Sequence, residues 1–167
     1  MARYRRADAR GGTYFFMVVT ERRQRILTEP DIRAALRTAI ETVRQRRPFR
    51  IDAWVLLPDH LHAIWALPEN DADFATRWRL IKAHVTRACG DRYFQDSLLT
   101  ERRAAKRCGT LWQHRYWEHH IRDDEDFYRH VDYIHGNLVK HGLVAHAADW
   151  PYSTLHRYAA SGVYAAE

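Results

Sequence analysis

The sequence predicts an α+β domain of the ferredoxin-like or RRM-like kind, an antiparallel βαββαβ sheet with helices on one face and a further C-terminal helix. Three observations predict it. The segments alternate in the order strand, helix, strand, strand, helix, strand, helix. Only Pro58-Asp59 separates the second and third strands, which makes them a tight hairpin. No repeat, low-complexity tract or Pro/Gly/Ser linker divides the 167 residues, so they form one domain, with a basic arm at 1–12 and an extension from about 143 to 167.

The elements follow in order. After Gly11-Gly12, "TYFFMVVT" (Thr13 to Thr20) is rich in β-branched and aromatic residues and reads as a strand. Thr28 is placed to cap a helix in which Ile32, Ala35, Leu36, Ala39, Ile40 and Val43 form an apolar stripe ending before Pro48. Phe49 to Leu57 and His60 to Leu67 are the hairpin strands. A helix from about Phe74 to Ala88 has Phe74, Trp78, Ile81 and Val85 on its inner stripe. Arg77, Arg79, Lys82, His84 and Arg87 are left for an outer basic face. Residues 90–109 have weak patterning and are expected to be loop. Gly109 to Ile121 reads as a strand, and the acidic run Asp123 to Asp126 opens a helix reaching about Lys140 and stopping near Gly142. With helices on one face only, the sheet's other face is expected to lie open.

Composition narrows the function. No run approaches the roughly 18 apolar residues of a membrane span, and "MARYRRADARGG" has no apolar segment behind its charges, unlike a secretory signal. Cys89 and Cys108 fit neither a metal spacing nor a disulfide framework, so a reducing cytoplasm is expected. A formal net charge of +6 with 13% aromatic residues suits a polyanion such as nucleic acid, although solubility alone would explain such a charge.

Two stretches carry chemistry. In "LPDHLHAIW" the alternation of a strand sends His60, His62 and Ile64 to one face and Leu61, Ala63 and Trp65 to the other. The two histidine Cα atoms would be about 6.5–7 Å apart, close enough for both imidazoles to reach one metal ion. Two solvated histidines on a polar face are the bland alternative. In "HVDYIHGNLVKHG", Phe127, Val131, Ile134 and Leu138 form a core stripe while Tyr133 and Asn137 share another face, one turn apart. A helical tyrosine is ordinarily a packing residue. As a nucleophile it needs activation, which a metal bound to the same phosphate would supply. Asn137 offers an amide oxygen to an ion held by His60 and His62, but spacing leaves that assignment open.

These two stretches, in this order, resemble the HUH single-tyrosine transposases (U being a hydrophobic residue), and more narrowly the REP-associated tyrosine transposases of the IS200-like superfamily. "YRRADARGGTYFF", "RPFRIDAWVLLPDHLH", "RWRLIKAHVTRACG", "LWQHRYWEHHIRD" and "DWPYSTLHRY" extend the resemblance over nearly the whole chain. It implies a ferredoxin-like core, a divalent cation (Mg²⁺ or Mn²⁺), and cleavage and joining of single-stranded DNA at repetitive extragenic palindromes, which form imperfect hairpins. Through it His60 and His62 match the HUH pair, Tyr133 the nucleophile and Asn137 a third metal ligand. His119 is a competing ligand or a phosphate contact. Asp59, beside the pair, is either an orienting partner for an imidazole or simply a turn residue. The resemblance also implies a protein acting at the bacterial nucleoid. One departure is Leu138, where the family commonly has Pro after the Asn; Leu lets the helix run on.

Tyr116 is the rival nucleophile, but a strand over 109–121 would group it with Trp112, His114, Glu118 and His120 on one sheet face. Candidate DNA contacts are Arg3, Arg5, Arg6 and Arg10 on the arm and Arg77, Arg79, Lys82 and Arg87 on the helix. Tyr4 and Trp117 are candidates for stacking on unpaired bases. Two other readings use part of this equipment. An RRM-like binding module needs neither tyrosine nor metal, and a water-using nuclease needs the histidines but not Tyr133. Monomer and homodimer remain equally open.

Overall fold

Four strands hydrogen-bond in the order β2-β3-β1-β4, formed by Thr13–Val19 (β1), Arg50–Leu56 (β2), His60–Ala66 (β3) and Trp117–His120 (β4). The computed structural model describes residues 11–162, so the arm residues Arg3, Tyr4, Arg5, Arg6 and Arg10 lie outside it. The pairings among these four strands are antiparallel, with Phe16 opposite Ala63 and Met17 opposite His62 in the central β1–β3 ladder. This is the βαββαβ order expected from the sequence.

Helices α1 (Pro30–Arg46) and α2 (Phe74–Cys89) cover one face. Phe16, Val18, Leu61, Ala63 and Trp65 of the sheet pack there with Leu36, Val43, Trp78 and Ile81 of the helices. The Trp65 and Trp78 rings stack at 4.1 Å and 16°, a contact worth roughly 0.5–1.5 kcal/mol beyond its buried area. Helix α1 begins at Pro30, with Glu29 rather than Thr28 at the cap. Proline needs no amide partner and has the helical φ built in, so it takes the first position and moves the boundary by one residue.

The opposite face is covered, contrary to expectation. Helix α4 (Asp124–Lys140) lays Phe127, Val131, Ile134 and Leu138 on Phe15, Ala53, Val55 and Ile64, and Tyr158 of α5 (Leu155–Ala160) joins this second core. The stripe on α4 needs an apolar partner, and the second face of β1, β2 and β3 supplies it. β3 is buried along six of its seven residues as a result. Leu138 is fully buried and α4 continues past it to Lys140. Gly142, at φ +68°, then ends the helix: its N–H donates to Val139 O and that of Leu143 to Leu138 O.

The expected strand over 109–121 is shorter. Leu111 and Gln113 make single backbone bonds near the end of β1, residues 114–116 leave the ladder, and regular pairing resumes at Trp117. Lys82 Nζ donates to Gln113 O at 2.7 Å and His114 O at 3.4 Å, serving carbonyls where the ladder lapses. Within 90–109 the chain forms a 3-10 turn at Asp96–Leu98 and a short helix α3 at Glu101–Ala105, capped by Thr100. Arg103 anchors this segment through Glu21 and the carbonyls of Gly109 and Trp112.

Candidate active site at the meeting of strand β3 and helix α4

His60 and His62 project from β3 beneath α4, both buried rather than displayed on an open face. Their rings lie 4.9 Å apart and nearly perpendicular. Asp59, from the hairpin turn, holds His60 Nδ1 at 2.6 Å, and Arg23 Nη1 donates to the other Asp59 oxygen at 3.2 Å. Burial works against the Asp59 charge, but the bonds from His60 and Arg23 outweigh it and keep its pKa below the usual value. An ionised Asp59 places the His60 proton on Nδ1 and leaves Nε2 as a lone-pair donor.

Asn137 Nδ2 and His62 Nε2 are 2.9 Å apart across the gap between α4 and β3, and Asn137 is itself buried. Rotating the amide by half a turn exchanges its nitrogen for its oxygen at the same spot. Burial, followed by the positive influence of His60, His141 and Arg23, drives the His62 pKa down to about 3. Burial lowers that of His60 as well, with Asp59 opposing. Both rings are therefore neutral near pH 7, the form that binds metals. Two imidazole nitrogens and an amide oxygen are a donor set for a divalent cation that leaves room for phosphate oxygens and water.

Tyr133 stands one turn before Asn137. Its ring meets that of His62 edge-on at 5.2 Å, and Phe15 from β1 supports both, at 6.0 Å from Tyr133 and 5.4 Å from His62. Tyr133 is 44% exposed while the histidines beneath it are buried. A phenol thus stands at the surface directly beside the inner imidazole. Tyr116 lies across the sheet against Phe16 and Trp78, where burial pushes its pKa up to about 12. Tyr133, not Tyr116, is the tyrosine brought to the histidine pair.

Two of the proposed helix contacts are corrected. Arg77 is 1% exposed and turns inward, with its guanidinium donating to Asp71 and to the carbonyls of Arg47, Pro48 and Asp73. The Lys82 amine is committed to the chain at 113–114, and burial lowers its pKa to about 8. Arg79 and Arg87 remain exposed, as does Trp117. His119 does not join His60 and His62. Its Nε2 contacts Asp126 Oδ2 at 2.8 Å, and its ring stacks on His130 at 4.7 Å. His120 lies on the other face, against Tyr14.

The sequence reading passed over several neighbours. His141, just after α4, approaches His60 at 5.5 Å between rings. Phe15 bridges His62 and His130, which it meets at 4.8 Å. The Asp126/His130 spacing of four on one helix was a readable signal. Phe15 had none, since one aromatic in "TYFFMVVT" looks like the next.

An antiparallel sheet carrying a His-hydrophobic-His strand, crossed by a helix with tyrosine and asparagine four residues apart, defines a class of DNA-processing enzyme. The chain belongs to that class: residues 9–137 match the family described as transposase IS200-like. Among particular relatives, it is 47% identical to the REP-associated tyrosine transposase of Escherichia coli (strain K12) over 165 residues, covering 98% of this chain and 88% of the relative. It is 39% identical over 164 residues to a Haemophilus influenzae (strain ATCC 51907 / DSM 11121 / KW20 / Rd) protein provisionally given the same name, covering 98% and 91%. A solved REP-associated tyrosine transposase bound to a REP hairpin superimposes with a TM-score of 0.77 at 47% identity, covering 98% of this chain and 88% of that one. No described helix is long and apolar enough to cross a membrane.

Proposed function

We propose that the protein cleaves and rejoins single-stranded DNA beside REP-type hairpins, with Tyr133 as nucleophile and a covalent 5′-phosphotyrosine intermediate. The observation that carries this reading is the Tyr133 ring against His62, with Asn137 bonded to the same imidazole. The hairpin substrate is carried over from the relative whose structure holds one.

His60, His62 and Asn137 would hold a divalent cation, Mg²⁺ or Mn²⁺, which when bound polarises the scissile phosphate and stabilises its developing charge. Asp59 fixes the ring orientation and proton position of His60. Tyr133 gives up its proton as its Oη attacks phosphorus. The Oη–P bond forms, the P–O3′ bond breaks, and the departing oxygen takes a proton to leave a free 3′-hydroxyl. Attack by another 3′-hydroxyl on the phosphotyrosine reverses these changes and joins the strands, because one phosphodiester has been exchanged for another of similar energy. The exposed Arg79 and Arg87 of α2 and the arginines of the N-terminal arm are suited to hold DNA phosphates.

The test is incubation of a 5′- or 3′-labelled hairpin carrying a single-stranded flank with Mn²⁺ and either wild type or Tyr133→Phe. A protein–DNA adduct stable to denaturant in wild type and absent from Tyr133→Phe is expected. Cleavage that survives in the phenylalanine variant would instead indicate a water-using nuclease, and binding without cleavage in either protein a recognition module.

A further inference from the structure

A second cluster of metal-ligating side chains lies at the other end of the Phe15 ring. His119 from β4 and Asp126 and His130 from α4 bring one ligand atom each to within 4.8 Å of one another. Asp126 is the buried centre. Its Oδ2 meets His119 Nε2 at 2.8 Å, and its Oδ1 lies 3.3 Å from His130 Nδ1. Two donors on a tetrahedral ion with bonds of about 2.0–2.1 Å stand about 3.3 Å apart. The two distances to Asp126 lie around that spacing, and the three ligand atoms, all within 4.8 Å, would close on one ion by rotation of the side chains. His119 and His130 are partly exposed, at 27% and 17% of their side chains, so an ion and a water ligand have a way in.

We infer that His119, Asp126 and His130 form a second metal site, taking a transition ion of the Zn²⁺ type, that is separate from the His60–His62–Asn137 set. Two imidazoles and one carboxylate, with a fourth position left to water, are a donor set that zinc accepts. The ion would tie β4, which among the described residues is an edge strand paired with β1, to the first half of α4. Tyr133 follows His130 by three residues on that helix, so the tie holds the nucleophile's helix against the sheet edge. Three features oppose a cation here. His130 Nδ1 lies 2.8 Å from the Asp126 carbonyl oxygen, which only accepts, so that nitrogen carries the proton and the ring must turn or bind through Nε2. Asp126 lies in the first turn of α4, at the positive end of the helix, and Arg122 Nε sits 3.6 Å from Asp126 Oδ2. The Arg122 side chain is 68% exposed and free to swing outward. The helix end remains, so binding should depend on both imidazoles.

The full chain, stripped with chelator and titrated with Zn²⁺ by calorimetry and with Co²⁺ by visible absorption, tests this. Wild type is expected to bind one more equivalent than His130→Gln. His119→Gln should weaken that equivalent by at least about tenfold. The equivalent should persist in His60→Gln, and Zn²⁺ should raise the melting temperature of wild type but not of His130→Gln. Circular dichroism shows whether each variant is folded, and the wild-type melting shift does not depend on any variant. Equal stoichiometry in wild type, His119→Gln and His130→Gln, loss of the same equivalent in His60→Gln, or no wild-type melting shift would overturn the inference.

Discussion

Replacing Arg77 with Ala separates a structural arginine from a DNA contact. Its guanidinium donates to Arg47 O at 3.1 Å, Pro48 O at 2.8 Å and Asp73 O at 2.9 Å, and grips both oxygens of Asp71 at 3.1 and 2.7 Å. Truncation leaves three carbonyls without a charged donor, at roughly 1 kcal/mol each. The Asp71 carboxylate is 31% exposed, so water replaces part of what it loses and its share is at most about 1 kcal/mol. Together these give a loss of about 3–4 kcal/mol. For a domain of this size that lowers the melting temperature by about 6–16 °C. Arg77→Lys should recover only part, since an ammonium lacks the planar fork that spans Asp71. Arg79→Ala, on the exposed side of α2, should change stability by no more than about 0.5 kcal/mol. If α2 meets DNA, it should instead reduce the salt dependence of hairpin binding by about one unit of slope. Calorimetric melting and a salt series of hairpin affinities measure both. If Arg77→Ala melts within about 2 °C of wild type and loses hairpin affinity as Arg79→Ala does, the inward reading of Arg77 is wrong.

Asp59→Asn keeps the size of the side chain but removes the charge facing His60. It should weaken Mn²⁺ binding at the His60–His62–Asn137 set by about 10–100-fold, read by Mn²⁺ titration. Unchanged affinity would mean that Asp59 serves only the turn. Tyr158 donates to Asp52 O at 2.6 Å, and burial pushes its pKa up to about 12, as it does for Tyr116. Raised phenol pKa values contribute stability that is whole below pH 10 and is lost as pH rises from 10 through 12. Ultraviolet titration should therefore show at least two tyrosines ionising late, together with loss of structure, and Tyr158→Phe should remove part of that alkaline sensitivity.

Much of this protein was written locally. The β-branched and aromatic run of "TYFFMVVT" and the Pro58-Asp59 turn marked strands, and the stripes on α1, α2 and α4 marked helices, because each depends on neighbours within a few residues. The pairing of Tyr133 with Asn137 and of His60 with His62 was legible for the same reason: one helical turn and one strand step are fixed distances. Where α4 goes was not legible. Its apolar stripe states that it must be buried but not on which surface, and only assembly of β1, β2 and β3 creates a second apolar face beneath it. Packing there buries the histidine pair and brings Asn137 to 2.9 Å from His62. The same placement sets Tyr133 beside the pair and gathers His119, Asp126 and His130 into a cluster of their own. Arg77 shows the limit from the other side. Helical spacing put it among outward-facing basic residues, but the carbonyls of residues 47 and 48 and the Asp71 carboxylate converge on it only after folding. Local spacing sets which groups share an element; packing sets which groups meet, because a contact across 75 residues depends on how the elements assemble and not on any local repeat.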